Sequence, residues 1–151
     1  MFLDPELFEQ IVENTPLISI DLYVKDAHGR YLLGKRTNRP AKDYWFVPGG
    51  RIFKGESLKS AFQRLCSDEL GIALDYSHSA FVGVFEHMYE DSVFSEEKAT
   101  HYIVLVHEVE HDIAIDQLPK GQHCQYRWFS QSELMEASDV HHHNKLRFFD
   151  K

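Results

Sequence analysis

The acidic side chain of Glu69 stands in a predicted helix at a position where an apolar residue is expected. The pattern of residues 57–70 predicts a helix that Gly71 ends. A carboxylate beside an apolar stripe is costly unless it has a partner or a function. An acid at the edge of an apolar stripe therefore calls for a reason. The rest of the stripe is apolar and recurs every three or four residues: Leu58, Ala61, Phe62, Leu65, Cys66 and Leu70.

A basic segment precedes and overlaps this helix. The whole chain carries a formal charge of -8, whereas residues 25–64 hold ten basic and three acidic side chains and therefore carry +7. A local excess of positive charge suits a small anion such as a diphosphate, and a solvated basic face is the alternative interpretation. The acidity of the chain as a whole argues against a nucleic acid as the partner.

Histidines and cysteines provide further candidate sites. The run His141-His142-His143 has the composition of a metal site, but it has no matching cluster elsewhere in the sequence, which favours a solvated loop. Cys66 falls on the apolar stripe and is assigned to the core. Cys124 follows His123, and we expect no thiol chemistry from it.

The order of predicted elements indicates how these residues are positioned. Strands and helices do not alternate regularly, so we expect an α/β (α+β) fold, an α/β/α sandwich with a mixed sheet between helices. Residues 110–122 are expected to form a loop. The predicted elements are a helix at 5–13 capped by Asp4, a hairpin of strands at 17–25 and 30–37, a short strand running into a Pro-Gly-Gly turn at 45–50, the helix at 57–70, strands at 80–89, 101–109 and 126–130, and a helix at 131–137 capped by Ser130.

Length and composition limit the class of protein. The 151 residues have the length of one domain, and a hydrophobic content of 43% is enough for a packed core. No apolar run approaches the roughly 20 residues that cross a bilayer, and the first ten residues lack the basic flank of a secretory signal. Two distant cysteines without an export signal are typical of free thiols. We therefore expect a single cytoplasmic domain, residues 1–151, without a membrane partner.

Residues 50–72, GRIFKGESLKSAFQRLCSDELGI, resemble the Nudix box, a loop–helix–loop motif of fixed spacing. A full box has three carboxylates on one helix face, and here their positions hold Leu65, Asp68 and Glu69. The resemblance implies that fewer metal ions bind, and that the base for catalysis lies outside the box or is absent. It also implies an ion pair that braces the loop on the helix. The matching residues are Gly50, Glu56, Arg64, Glu69, Gly71 and Ile72.

The resemblance extends to the GDP-mannose mannosyl hydrolases of this superfamily over essentially the whole chain. Four blocks carry it, at residues 15–24, 32–51, 100–106 and 121–128. This resemblance implies the Nudix fold, a homodimer, and one Mg2+ per active site, with Mn2+ as an alternative ion. The implied reaction is hydrolysis of GDP-mannose, and also of GDP-glucose, to GDP and the free sugar. Water would attack the anomeric carbon with inversion.

The same resemblance implies roles for individual residues. His123, in a flexible loop at 116–124, would be the catalytic base, and an ordinary histidine pKa of roughly 6.5 would make activity rise between pH 6 and 9. Arg36 and Arg51 would clamp the diphosphate during binding and catalysis. Asp21, His87 and Tyr102 would lie near the sugar and the diphosphate, with Asp21 and Tyr102 also assisting catalysis. The metal ligands would be the Gly49 carbonyl, the Glu69 carboxylate and the Gln122 amide oxygen.

Two other functions stay open from the residues alone. A conventional Nudix diphosphatase would cleave the substrate at phosphorus and release GMP and a sugar phosphate. A non-catalytic module would bind the nucleotide sugar without turning it over. Taken alone, the loss of box carboxylates leaves a degenerate, inactive Nudix domain as an alternative.

Overall fold

The computed structural model describes residues 2–119 and 123–149, and within them seven strands form one mixed sheet. The central order is β3-β2-β1-β6-β5, with β4 paired to β1 and β7 paired to β2. Strands β1 and β6 run parallel, and the other pairs are antiparallel. The strands are β1 (Leu17–Lys25), β2 (Tyr31–Arg36), β3 (Trp45–Phe46), β4 (Gly49–Arg51), β5 (Ser79–Tyr89), β6 (Thr100–Glu110) and β7 (His123–Phe129).

Helices cover the two faces of this sheet, which confirms the expected sandwich. They are α1 (Pro5–Asn14), α2 (Leu58–Leu65) and α3 (Gln131–Glu136). One core packs α2 against Ile20, Leu22 and Val24 of β1. A second core contains Tyr23 of β1 and Leu134 of α3. Strand β1 is therefore buried on both faces, as its near-continuous run of β-forming residues requires.

Side-chain caps fix the starts of the three helices. The Asp4 carboxylate accepts a hydrogen bond from the Glu6 amide, and Ser57 accepts one from Ser60. Ser130 and Glu133 form a reciprocal capping box at α3. The predicted starts of these helices are confirmed, since the capping residues are readable in the sequence.

The first hairpin forms its turn but does not stay paired along its length. The Asp26 carboxylate accepts from the amides of His28 and Arg30, at 2.9 and 2.8 Å, and Gly29 adopts a φ of +77°. The register between the two strands is Lys25 opposite Tyr31. Beyond this point β1 pairs with β4 and β2 pairs with β3, while β7 pairs with the other edge of β2. The two strands therefore separate, and the expectation of a simple hairpin was wrong in this respect.

The segment after β3 also differs from the prediction. Gly49 and Gly50, expected to lie in a turn, instead form β4 together with Arg51, antiparallel to β1 and with Gly49 opposite Asp21. A Cβ at Gly49 would overlap the carbonyl oxygen of Ile20, so this pairing requires glycine. Proline at position 48 and two glycines suggested a turn, but the contact with β1 is distant in sequence and no local pattern encodes it.

The helix that carries Glu69 changes its winding before it ends. Regular α-helix stops at Leu65, and Cys66–Leu70 form a π-helical turn that Gly71 closes at a φ of +69°. The Arg64 guanidinium bridges the preceding loop: its Nε lies 2.7 Å from the Glu56 carboxylate, and an Nη donates to the Arg51 carbonyl at 2.8 Å. The expected ion pair is confirmed. Glu56 also accepts from the Phe53 amide, and these bonds lower the pKa of its carboxyl, those from Arg64 most.

The histidine run does not form a solvated loop. His141 is half-buried, His142 is exposed and His143 is buried at 6% exposure, in a 3-10 helix over His142–Phe148 that packs on β5. The ring of His143 stacks on the ring of His87, with centroids 4.4 Å apart and planes 11° apart. This partner lies more than fifty residues away in the chain, which is why the local sequence did not reveal the packing.

Asn144 connects this C-terminal segment to residues 45–47, which precede β4. Its Oδ1 accepts from the Val47 amide at 3.0 Å, and its Nδ2 donates to the carbonyls of Trp45 and His141, at 3.2 Å each. Its side chain is fully buried. These contacts hold residues 45–47 in place and so support the position of Gly49.

In residues 2–119 and 123–149, no helix is long and apolar enough to cross a membrane.

We predict that Asn144→Ala lowers the free energy of unfolding by about 2–4 kcal/mol, because it leaves the Val47 amide buried without its partner and removes one of the two hydrogen bonds that the Trp45 carbonyl accepts. Urea denaturation followed by fluorescence measures this change. The matched control is Asn14→Ala, at an exposed position, where the change should stay within about 0.5 kcal/mol. Equal effects of the two substitutions would contradict the supporting role of Asn144.

Candidate active site

A cavity of about 570 Å³ opens where β1 and β2 separate. Its walls come from β1, β4, β5, β6, the end of β2, the π-helical turn and α1. Seven of the site residues predicted from the sequence line it: Asp21, Arg36, Gly49, Arg51, Glu69, His87 and Tyr102. The structure therefore brings together groups that are spread over 80 positions of the chain.

The box helix contributes its three key positions unequally. Leu65 is buried, and its Cδ2 lies 2.6 Å from where a Cβ on Gly50 would stand. The side chain of Asp68 is 61% exposed and lies 3.6 Å from Arg64, at the rim. Glu69 is half-buried and close to Gly50. Of the three positions, only Glu69 gives the cavity a largely desolvated carboxylate.

Asp21 supplies a second carboxyl from β1. Burial raises its pKa to about 8, against the opposing effect of Arg36. Burial likewise raises the pKa of Glu69 to about 7, again opposed by Arg36. Oδ2 of Asp21 is buried without a hydrogen-bond partner among the residues that the structure describes. The buried Asp21 carboxyl beside Gly49 and the half-buried Glu69 carboxyl near Gly50 form an oxygen-rich set, and such a set fits Mg2+.

Two guanidinium groups also line the cavity, and one of them, Arg36, interacts with both carboxyls. Arg36, at the end of β2, donates from Nε to the Pro40 carbonyl at 2.8 Å. Arg51 lies between the rings of Phe8 and Phe53, with its Cζ 4.9 Å from each centroid. Burial among these rings lowers the pKa of Arg51, which stays cationic at neutral pH. A pair of fixed guanidinium groups can bind the oxygens of a diphosphate.

His87 and Tyr102 are directly opposite each other on β5 and β6. His87 is buried, and this burial, with a smaller effect of His141, lowers its pKa to about 4. Its ring is therefore neutral at physiological pH. Burial raises the pKa of Tyr102, so its hydroxyl keeps its proton. Both groups can exchange hydrogen bonds with a neutral ligand such as a sugar.

His123 occupies a different place from the one expected. It begins β7 opposite Arg36, and its ring packs beneath Gly34 and against Tyr126. The side chain is 2% exposed and is not among the described residues that line the cavity. Its Nδ1 has no hydrogen-bond partner within residues 2–119 and 123–149. The expectation that it sits in a loop was wrong, since pairing of β7 with β2 extends the strand to residue 123.

The electrostatics of His123 also change the expected pH dependence. Burial, with a smaller contribution from Arg36, lowers its pKa to about 4. A group with this pKa is already deprotonated throughout pH 6–9, so the predicted rise of activity over that range does not follow from this structure. Gln122, the third predicted metal ligand, lies outside the described residues, as does the side chain of Cys124.

Part of the cavity wall was missed from the sequence. Helix α1 contributes Phe8 and Val12, and the stretch before it contributes Phe2 and Leu3. Lys98 holds this helix through ion pairs with Glu9 and Glu13. The signal was the apolar stripe of α1, which a core helix would share. The stripe therefore could not show that these residues face a cavity.

The chain is similar to known proteins in sequence and in fold. The low-salt glycan biosynthesis protein Agl8 of Haloferax volcanii is 42% identical over 102 residues, which are 68% of this chain and 64% of that protein. The MutT protein of Methanosarcina mazei Go1 has a similar fold, with a TM-score of 0.70 at 22% identity, over 89% of this chain and 92% of that one. The NUDIX domain of Shewanella oneidensis NrtR, solved with ADP ribose, gives a TM-score of 0.67 at 17% identity, covering 97% and 90% of the two chains.

The family assignment depends on the match of a sequence model over most of the chain. The NUDIX domain model matches residues 15–150, a range that includes every strand of the sheet and the box helix. The mixed sheet between helices agrees with the solved structures of that family. The chain therefore belongs to the NUDIX domain family of hydrolases, which generally use divalent cations such as Mg2+.

Proposed function

We propose that this chain hydrolyses GDP-mannose, and also GDP-glucose, to GDP and the free sugar, with one Mg2+ or Mn2+ bound in the cavity. Water attacks the anomeric carbon with inversion. The observation that carries the proposal is the composition of the box helix, which offers the cavity one desolvated carboxylate, Glu69, where a full box has three. The proposal includes a cytoplasmic homodimer, as the sequence resemblance implies.

The reduced box argues against attack at phosphorus. In a full box the extra carboxylates hold further cations and supply a base next to the diphosphate. Here Leu65 is packed into the core against Gly50, and Asp68 is directed to Arg64. Neither provides a base at the phosphorus atoms. A reaction that leaves both phosphorus atoms intact needs only that the negative charge of the departing diphosphate is neutralised.

The cavity meets that need from its own residues. Arg36 and Arg51 would bind the diphosphate oxygens, and Gly49, Glu69 and Gln122 would hold the cation. When bound, the cation neutralises charge that develops on the departing nucleotide. The leaving oxygen then needs no proton, so the acid of an ordinary inverting glycosidase is dispensable. His87 and Tyr102 would hydrogen-bond the sugar.

The water still requires a base, and His123 is the proposed one. Its ring is neutral, and its Nδ1 has no hydrogen-bond partner among the described residues. In the sheet His123 stands opposite Arg36. Its catalytic role requires the ring to leave its position beneath Gly34. Asp21 is the competing base, since its carboxyl already lines the cavity. In the proposal Asp21 orients the sugar and supports the cation site.

Names of related proteins agree with a nucleotide-sugar substrate. The Haloferax volcanii relative is named for glycan biosynthesis, and the NrtR domain was solved with ADP ribose, a sugar joined to a nucleoside diphosphate. A conventional diphosphatase and a non-catalytic nucleotide-sugar module are the alternatives. The products and their isotopic label distinguish all three.

We predict that GDP-mannose incubated with the protein and Mg2+ in 18O-water gives labelled mannose and unlabelled GDP. The label enters the sugar because water attacks carbon rather than phosphorus. Mass spectrometry of the products measures it, and proton NMR of the first anomer released tests inversion. Label in GMP or in mannose phosphate would establish the diphosphatase reaction instead. Tight binding without turnover would establish the binding module.

We predict that Glu69→Gln raises the Mg2+ concentration needed for half-maximal turnover and lowers kcat by more than about tenfold, because the cation loses its charged ligand. Steady-state kinetics over a range of Mg2+ concentrations measure both effects. Asp68→Asn is the matched control, because this neighbouring acid is exposed at the rim, and its kinetics should change less than about threefold. If the two variants behave alike, Glu69 is not a metal ligand.

We predict that His123→Gln lowers kcat by about 10²- to 10⁴-fold with little change in KM, the usual contribution of a general base. Asp21→Asn should cause a smaller loss of kcat and a larger change in Mg2+ dependence. His111→Gln, outside the cavity, is the control for loss of a histidine. A greater loss of kcat in Asp21→Asn than in His123→Gln would transfer the role of base to Asp21.

A further inference from the structure

The three histidines at 141–143 gather their rings into one cluster. The centroids are 4.7 Å apart for His141 and His142, 4.5 Å for His141 and His143, and 4.3 Å for His142 and His143. One ring nitrogen from each residue lies within 4.8 Å of those of the other two. Imidazole nitrogens bind a metal ion at roughly 2.1 Å. Small rotations of the three rings would bring these nitrogens to that distance from one ion.

One nitrogen of this cluster lacks a partner. His143 is 6% exposed, and its Nδ1 has no hydrogen-bond partner in the described part of the chain. A buried imidazole nitrogen without a partner is costly, so it indicates a ligand. Its backbone amide donates to Nδ1 of His141 at 3.2 Å, which holds the His141 ring over the start of the 3-10 helix. The cluster is thus partly preformed.

The surroundings of the cluster select the kind of ligand. The rings of Tyr44, Phe46 and Tyr89 contact His141, and Tyr89 and His87 contact His143. None of these neighbours is a carboxylate, so the donor set is imidazole nitrogen. Such a set favours Zn2+, Ni2+ or Cu2+, whereas Mg2+ prefers the oxygen set of the cavity.

We propose that His141, His142 and His143 form a second metal site, which binds a transition-metal cation with a preference for imidazole, Zn2+ above all. The stacked ring of His87 fixes the plane of His143 and so orients one of the three ligands. The site lies next to the cavity, because His87 and Tyr89 line the cavity and also contact the rings of the cluster. It is distinct from the oxygen set of Asp21, Gly49 and Glu69, and it does not depend on the proposed reaction.

The test is equilibrium dialysis of the reduced full chain against Zn2+ in excess Mg2+, which occupies the oxygen set. We expect about one Zn2+ per chain. His142→Ala should weaken binding at least about tenfold, and because His142 is exposed the variant should fold normally. His78→Ala, another exposed histidine, is the matched control and should bind Zn2+ as the unmodified chain does.

Two further variants exclude other locations for the ion. Glu69→Gln and Cys124→Ser should both retain Zn2+. In thermal melts Zn2+ should raise the Tm of the unmodified chain and of these two variants but not that of His142→Ala, because an ion bound to the folded state stabilises it. Retention of full affinity by His142→Ala overturns the proposal. Loss of Zn2+ in Glu69→Gln or in Cys124→Ser would likewise assign the ion to the cavity or to the thiol, and not to the histidines.

Discussion

The close approach of β4 to β1 is the contact on which the site depends. Gly49 lies opposite Asp21 and presses on the carbonyl of Ile20, a distance that no side chain at position 49 would permit. This pairing takes the place that β2 would hold on β1 in a regular hairpin, and β3 takes the place of β1 on β2, so residues 45–51 lie between the two strands. The same contact brings the Gly49 backbone next to the Asp21 carboxyl. The need for glycine at position 49 and the grouping of Asp21, Gly49 and Glu69 in the cavity wall are therefore connected.

The energetic cost of burying the Asp21 and Glu69 carboxyls indicates that they serve a ligand. Burial raises the pKa of both Asp21 and Glu69, and Arg36 offsets only part of that effect. An apolar residue at either position would avoid this cost, as Leu65 does at its own position in the box. Arg51, held between two phenylalanine rings, also loses hydration without gaining a carboxylate partner among the described ion pairs. Both signs of charge are therefore kept ready for a ligand that carries both, such as a diphosphate with its cation.

Local signals in the sequence predicted the elements, and contacts distant in sequence decided the site. The side chains of Asp4, Ser57 and Ser130 accept hydrogen bonds from amides two or three residues further along the chain. Because these interactions are local, the starts of the three helices were predicted correctly. The resemblance to the box identified Glu56 with Arg64 as a pair because the motif fixes their spacing. By contrast, the burial of His123 depends on the absence of a side chain at Gly34, almost ninety residues away. Spacing cannot encode such a contact, and the packing of His143 on His87 was hidden for the same reason.

The two donor sets differ in hardness, and this difference bears on how one small chain could hold two kinds of cation. The oxygen set lies on β1, β4 and the π-helical turn, where burial and guanidinium groups favour a hard ion beside phosphate. The imidazole set lies against β5, in contact with uncharged aromatic rings. His87 belongs to both surroundings, since one face of its ring stacks on His143 while the residue lines the cavity. An ion at the histidines would therefore restrain a residue of the substrate wall without competing for its oxygen ligands, which connects the two sites through packing rather than through shared coordination.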